Sequence, residues 1–277
     1  MKAKLLPFAA GLLNVAQAWA GGYAPAVGQP GSTAIAAGDP GFVEWASGYT
    51  NFSPGLQDIS NPSLGLASFG TPANALGHAD VDLSTGFTSP VVSLGDGGSI
   101  TLTFDKPITN GPGPDLAVFE NSFSDTFLEL AFVEVSSDGQ HFFRFPSVSL
   151  TPTSSQVGSF GTLDPTNLNN LAGKYRGGYG TPFDLSDLLG ITDPNLNLNN
   201  ITEVRVVDVV GSINPLYASH DSLGNVVNDP WPTPFASSGF DLDAVGVLNV
   251  VPEPASAALL GAGAVLLLNR RRRRRGG

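Results

Sequence analysis

The 277-residue chain contains no cysteine. Disulfide bonds, thiolate metal sites and a cysteine nucleophile are therefore excluded. Charged residues are scarce at 13%, while 34 glycines and 22 prolines indicate many turns and few long helices. The hydrophobic content of 42% excludes a wholly disordered chain. We therefore expect an all-β protein that is stabilised by burial of its hydrophobic core. A bound cation is a second candidate source of stability.

Basic residues are rare outside the two ends of the chain. Of the 13 lysines and arginines, two lie in residues 1–20 and six in residues 251–277. The 230 residues between them keep five basic residues against 23 acidic ones, a net charge near −18. This length suits one large β domain or two small ones. The acidic surface argues against nucleic acid and anionic lipid as partners, and it is compatible with divalent cations or neutral sugars.

Residues 1–20 have the three-part layout of a secretory signal peptide. Lys2 and Lys4 are followed by an apolar run from Leu5 to Val15 and by the small-residue pattern Ala18-Trp19-Ala20. A buried amphipathic helix is the alternative interpretation. We predict export, with a mature chain that begins near Gly21.

The other end combines Pro252-Glu253-Pro254, an uncharged run over 255–268 and six arginines at 270–275. A 14-residue helix is roughly 21 Å long, so it would only marginally span the ~30 Å of bilayer hydrocarbon. The arginines would stay cytoplasmic. A basic nucleic-acid tail is the competing interpretation.

Residues 251–275 closely resemble the PEP-CTERM sorting signal. The resemblance implies that exosortase, a membrane transpeptidase similar to cysteine proteases, recognises the segment 251–277 and that cleavage occurs near Pro252, Glu253 and Pro254. We therefore expect transient anchoring in the inner membrane by the C-terminal helix. The expected final location is the cell surface or the extracellular matrix.

Between the two signals we expect a loop-rich entry segment over 21–75, packed on a β-sandwich domain over 76–250. The runs 91–94 and 99–104, joined by Asp96-Gly97-Gly98, predict a hairpin. Further strands are predicted at 116–120, 127–136, 141–145, 201–210 and 240–250, with a short helical turn capped by Asp184. Short strands without helix-length amphipathic runs favour a single antiparallel β-sandwich with long loops.

Several phrases between residues 68 and 248 resemble a family of bacterial surface proteins that often end in the same sorting signal. They are found at 74–77, 97–104, 113–121, 133–139 and 239–245, and include Gly113-Pro114-Asp115-Leu116-Ala117-Val118-Phe119-Glu120-Asn121. The resemblance implies a jelly-roll sandwich of the kind shared by discoidin-like and carbohydrate-binding modules. It implies no established activity.

The motifs of common enzymes are missing from the sequence. His78, His141 and His220 have no paired-ligand spacing, and there is no nucleophile elbow, P-loop or dinucleotide-binding glycine motif. A triad assembled by the fold stays open as an alternative to three surface histidines. We predict no catalytic residue.

Two acidic residues are predicted to point toward the core. Strand alternation places Glu120 on the face of Leu116 and Val118, and Asp208 on the face of Val204 and Val206. A buried carboxylate is costly unless it is paired or binds a metal, and basic residues are few. We therefore predict a calcium site formed by Glu120, Asn121, Asp208, Asp241 and Asp243. The alternatives are acids that turn into water or cap backbone amides, and acid/base catalysis by a carboxylate pair.

Aromatic residues in loops supply the other candidate surface. Tyr175, Tyr179 and Trp231 could stack on sugar rings, or they could seal the end of the sandwich. The leading hypothesis is a non-catalytic, calcium-compatible protein that contributes adhesion or structure to an exopolysaccharide layer. The alternatives are a carbohydrate-binding module and a secreted hydrolase that uses Glu120 and Asp208.

Overall fold

A computed structural model describes residues 21–84 and 90–252. The predicted signal peptide, the hydrophobic run, the arginine cluster, Glu253 and Pro254 lie outside this part of the chain. Pro252 lies inside it and is exposed. Over these two ranges, no helix is both long enough and apolar enough to cross a membrane.

The described part of the chain is built from short strands and four 3-10 turns, at Pro62–Leu64, Pro72–Ala75, Pro165–Asn167 and Leu185–Leu188. The strands are β1 (Ile35–Ala36), β2 (Glu44–Trp45), β3 (Gly48–Ser53), β4 (Val92–Ser93), β5 (Ser99–Ile108), β6 (Leu116–Glu120), β7 (Ala131–Ser136), β8 (Phe143–Arg144), β9 (Val148–Ser149), β10 (Leu168–Asn169), β11 (Tyr179–Phe183), β12 (Ile201–Asp208) and β13 (Asp241–Val247).

Two antiparallel sheets organise these strands. The first sheet has the order β1-β11-β6-β13-β2, and β4 also pairs with β13. The second sheet has the order β3-β5-β12-β7-β8. Strands β9 and β10 form a separate pair. The prediction of an all-β, antiparallel fold is confirmed.

The main core lies between the two sheets. Leu116 and Val118 of β6 face Val204 and Val206 of β12 within one buried cluster, to which the other central strands also contribute. The opposite faces are covered as well. Phe119 packs with Phe42 and Trp45 against the first sheet, and Leu128, Leu130 and Phe132 belong to a cluster on the second. Strand β6 is therefore buried on both faces, which explains its nearly continuous apolar sequence.

The predicted hairpin over 91–104 is wrong. Strand β4 pairs with β13 in the first sheet, whereas β5 pairs with β3 and β12 in the second. The Gly95–Gly98 turn closes with a 2.8 Å hydrogen bond from the Gly98 N–H to the Gly95 carbonyl, and it carries the chain from one sheet to the other. Gly95 and Gly97 both have positive φ, at 72° and 69°. A hairpin and a crossover both need such a turn, so the local pattern does not separate them.

Part of the segment 21–75 belongs to the sheets. It was expected to be an irregular entry segment, but it supplies the edge strands β1, β2 and β3, which pair with β11, β13 and β5. The predicted helical turn after Asp184 is confirmed, since the Asp184 carboxylate accepts a 2.8 Å hydrogen bond from the Ser186 N–H.

Candidate functional site

A cavity of about 260 Å³ opens where β6 ends and β7 and β13 begin. Asn121 directly follows β6, Asp241 is the first residue of β13, and Glu129 precedes β7 by two residues. All three line the cavity. Because β6 and β13 are antiparallel neighbours in one sheet and β7 belongs to the other, the cavity lies at one end of both sheets.

Phenylalanine rings form a row at this cavity. The ring centroids of Phe123 and Phe127 lie 4.5 Å apart at an interplanar angle of 17°, which is a stacked pair. Phe160 follows at 6.1 Å from Phe127, and Phe235 at 6.0 Å from Phe160. Phe160 is 71% exposed, Phe123 47% and Phe235 44%, so three of the four rings present apolar surface to solvent. We call these four residues the aromatic row.

Hydrogen bonds to main-chain groups hold the loops that carry the aromatic row. The Ser122 hydroxyl donates to the carbonyl of Phe127, and the Phe127 N–H donates to the Ser124 hydroxyl at 2.9 Å. The Ser159 hydroxyl donates to the Pro232 carbonyl at 2.5 Å, which ties the loop of Phe160 to the loop of Phe235. The loops that carry the rings are therefore tied together through their main chains.

Two carboxylates, Glu129 and Asp241, line the same cavity, and together with Asn121 we call them its polar floor. Asp241 is 6% exposed, and its oxygens accept hydrogen bonds from the Ser93 hydroxyl and, at 3.0 Å, from the side-chain amide of Asn121. Glu129 is 8% exposed. Within residues 21–84 and 90–252, no hydrogen-bond donor contacts the Glu129 carboxylate. The Glu129 oxygens retain some contact with solvent, and they border a cavity that a ligand could enter.

Burial and neighbouring carboxylates change the proton affinity of these groups. Burial raises the pKa of Glu129 well above its ordinary value, and the negative charges of Asp241 and Glu120 raise it further. Burial is also the main reason that the pKa of Asp241 is raised. The pKa of Glu120 is raised by burial and then by Asp241. The end of the sheets therefore concentrates negative charge that favours a proton or another cation.

A second set of buried acids satisfies the backbone. Asp208 accepts hydrogen bonds from the N–H groups of Phe240 at 2.7 Å and Gly97 at 2.9 Å. Asp229 accepts from the Leu130 N–H at 2.9 Å, and Asp96 from the Ile59 N–H at 2.7 Å. Burial raises the pKa of Asp208, Asp229 and Asp96. These acids join the loops to the ends of the strands.

The predicted calcium ligands have different hydrogen-bond partners. Asn121 and Asp241 line the cavity, whereas Glu120 does not line it but lies close enough to Asp241 and Asp243 for their charges to raise its pKa. Asp208 binds the backbone amides just described, which favours the capping alternative for this residue. Asp243 lies against the segment before residue 84 and accepts a 3.3 Å hydrogen bond from the Asp80 N–H. In the part of the chain with described coordinates, no three histidine, aspartate or glutamate side chains are grouped so that they could hold a metal ion.

The predicted sugar-stacking residues lie away from the cavity. Tyr175 is 1% exposed and its hydroxyl lies 2.8 Å from that of Thr33, which favours the sealing alternative for this ring. Tyr179 begins β11 instead of lying in a loop, and the Arg176 guanidinium lies 5.1 Å above its ring. Trp231 donates its indole N–H to Asp96 at 3.1 Å. All three rings are thus already in contact with other groups of the chain.

The three histidines have unrelated surroundings. The His141 ring nitrogen lies 2.7 Å from an oxygen of Asp138, and the His78 ring packs 4.5 Å from that of Trp45. His220 forms an isolated bridge with Val226. Glu120 and Asp208, the pair considered for hydrolysis, are both described, and neither lines the cavity.

Sequence reasoning missed the aromatic row and Glu129. Three of the rings have a local signal, since each stands alone between small or turn-forming residues, in Ser122-Phe123-Ser124, Ser159-Phe160-Gly161 and Pro234-Phe235-Ala236. Phenylalanine in such a context has no buried strand face to occupy. Glu129 alternates with Leu128 and Leu130, which pack into a core cluster, so its side chain points the other way.

Fold and site together define an antiparallel β protein that carries a cavity with aromatic and acidic lining at one end of its sheets. Comparison of the chain with protein-family models, with curated proteins and with solved structures finds no match.

Proposed function

We propose that this chain is a non-catalytic, exported surface protein whose end cavity binds a saccharide of the surrounding exopolysaccharide. The observation that carries the proposal is the aromatic row above a polar floor. Ligand cavities typically combine apolar and aromatic walls with a few polar groups that fix the orientation of the ligand. The end cavity has this composition, with four phenylalanines beside Asn121, Glu129 and Asp241.

The chemistry of a sugar ring fits this arrangement. A pyranose has apolar C–H faces that pack on aromatic rings, and hydroxyl groups at its edge that donate hydrogen bonds. Glu129 and Asp241 are acceptors for such hydroxyls, and the exposed surfaces of Phe160 and Phe235 are available for the apolar face. Binding would remove apolar ring surface from water, which is worth roughly 25 cal/mol per Å².

The proposal also covers where the protein is located and which type of β-sandwich it forms. The signal peptide pattern of residues 1–20 and the resemblance of residues 251–275 to a PEP-CTERM signal support export and sorting by exosortase. The two sheets that share one core support a sandwich of the jelly-roll kind. A protein held at the surface with a sugar-binding cavity would contribute adhesion to the matrix.

The test is a binding titration with short neutral oligosaccharides, followed by calorimetry. Phe160→Ala and Phe235→Ala should each weaken binding by about tenfold, because each removes an exposed ring worth roughly 1 kcal/mol or more. Tyr49→Ala is the matched control, since Tyr49 is an aromatic residue of β3 with 47% exposure and does not line the cavity. Unchanged affinity in both phenylalanine variants would refute the proposed site.

Calcium binding is a second candidate for the same end of the molecule. The observation that favours it is a pair of buried carboxylate oxygens without a hydrogen-bond partner in the described chain, Glu120 Oε1 and Asp243 Oδ2. Calcium takes hard oxygen ligands of this type. Asp241 and Asp243 lie close enough to Glu120 for their charges to raise its pKa, so the candidate protein ligands at this end are these three residues and Asn121.

A further inference from the structure

We propose that the saccharide bound in the end cavity carries a free, positively charged amine, which lies between the carboxylates of Glu129 and Asp241. The inference rests on the proposed function, because it names the class of sugar that the same cavity would take. An amino sugar offers an apolar ring face to the aromatic row and an ammonium group to the floor.

The first argument is the missing partner of Glu129. Its side chain is 8% exposed, lines the cavity, and has no donor among the residues with described coordinates. A neutral sugar hydroxyl could donate one hydrogen bond to it. An ammonium group offers three donors and a full charge, so it can serve Glu129 and Asp241 together.

The second argument is that most basic side chains of the chain already have partners outside the cavity. Arg144 and Arg205 both form ion pairs with Glu134, at 2.8 Å for Arg144. Arg176 pairs with Asp125 at 2.5 Å, and the Lys174 ammonium donates to the Leu168 carbonyl at 2.7 Å. Four of the five basic residues between positions 21 and 250 are therefore engaged elsewhere. The positive charge that would complement the cavity floor is left for a ligand to supply.

The aromatic row adds to this preference. The faces of aromatic rings attract cations through the ring quadrupole, an effect that strengthens when water is excluded. Phe127 is 9% exposed and stacks on Phe123, and both rings line the cavity beside Glu129 and Asp241. A cationic sugar would meet favourable potential from both the rings and the carboxylates.

An organic ammonium fits the site better than a bare metal ion. In the described ranges no three carboxylate or imidazole side chains are placed to coordinate a metal. The amide of Asn121 already donates to Asp241 at 3.0 Å, so its nitrogen faces the acid and only its oxygen is available as a ligand. A directional ammonium group needs only acceptors on one side and apolar rings on the other.

The experiment compares three trisaccharide probes of equal length on the full-length protein: a β-1,4-linked glucosamine trimer, its fully N-acetylated form, and cellotriose. We expect the glucosamine trimer to bind on the order of tenfold more tightly than the other two, as charge-assisted hydrogen bonds require. Glu129→Gln and Asp241→Asn should each remove most of this preference, so that the glucosamine trimer binds either variant no more tightly than cellotriose does. Asp193→Asn, at an exposed acid, should leave the preference intact and controls for attraction by the acidic surface as a whole.

Each other outcome counts against one specific proposal. Equal affinity for all three probes, lost in Phe160→Ala, would overturn the amine assignment and leave saccharide binding standing. A preference for the glucosamine trimer that persists in both Glu129→Gln and Asp241→Asn would also overturn the amine assignment. No measurable binding of any probe would refute the proposed function itself. Melting curves of the two variants distinguish a lost contact from a lost fold.

Discussion

Raising the pH from 5 to 8 should destabilise this protein, and Asp243 provides the sharpest test. Asp243 is 1% exposed and lies at a bulge of β13 between Leu242 and Ala244. One of its oxygens accepts from the Asp80 N–H and the other, Oδ2, is buried without a partner. Burial, and then the nearby charge of Asp80, raises the pKa of Asp243 from 3.8 to about 7.

The direction of the effect follows from proton linkage. Above pH 5 the unfolded chain has lost the proton of Asp243, whereas the folded chain keeps it until the pH passes about 7. The folded state therefore binds more protons, and stability falls as the pH rises. The contribution of Asp243 is fully present below pH 3.8 and lost above pH 7. It amounts to roughly 4 kcal/mol in total, of which roughly 3 kcal/mol disappears between pH 5 and pH 8. Glu120 and Glu129 change stability in the same direction, because burial raises the pKa of both.

The assay is urea unfolding at pH 5, 6, 7 and 8, at fixed ionic strength and with a chelator present. Asp243→Asn removes the titrating group, so the loss of stability over this pH range should shrink by roughly 3 kcal/mol relative to the unchanged protein. The new amide adds a cost of about 1–3 kcal/mol for unsatisfied buried polar atoms, and this cost is the same at every pH. Asp193→Asn should reproduce the original pH dependence.

Two results would refute this reasoning. One is an unchanged protein whose free energy of unfolding is level or rises from pH 5 to pH 8. The other is an Asp243→Asn variant with the same pH dependence as its parent. Either would show that Asp243 is ionised in the folded state at pH 5.

Three further predictions concern the cation, the backbone and the sorting signal. On the calcium candidate, calcium at a hundredfold excess over its dissociation constant should stabilise the fold by about 2.7 kcal/mol and raise the melting midpoint, and Glu120→Gln should abolish this shift. A midpoint indifferent to calcium and chelator would contradict that candidate. Gly239→Ala should lower stability by more than ~1 kcal/mol, because φ is +70° and the new Cβ would lie 2.5 Å from an Asp208 oxygen. Gly224→Ala is the control and should cost less, because φ is +82° there but no atom lies within 4 Å of the new Cβ. Equal losses of stability in urea unfolding would exclude the Asp208 contact as the cause. Replacing Pro252-Glu253-Pro254 by alanines should retain the protein in the membrane fraction of a host with exosortase, and release of a shortened product would contradict the sorting assignment.

Local patterns in the sequence determined the fold class and the burial of key acids. The alternation of apolar residues along β6 and β12 predicted that Glu120 and Asp208 point inward, and the structure leaves them 1% and 2% exposed. The Asp184 cap was predictable for the same reason, since a cap depends on neighbours only two residues away. The scarcity of basic residues already indicated that most buried acids would lack charged partners, and the buried Glu134, which pairs with Arg144 and Arg205, is an exception.

Tertiary structure alone decided which of these groups meet. The cavity takes Phe123, Phe160 and Phe235 from three separate loops, and its floor joins Asn121 to Asp241, 120 residues apart in sequence. The same long-range packing gave Asp208 the amides of Gly97 and Phe240 and left Glu129 without a donor. It also assigned β4 and β5 to different sheets, although a turn that suits a hairpin joins them. Side-chain period and turn chemistry act over a few residues, whereas a binding site is set by contacts between segments that only the packing of the sheets brings together.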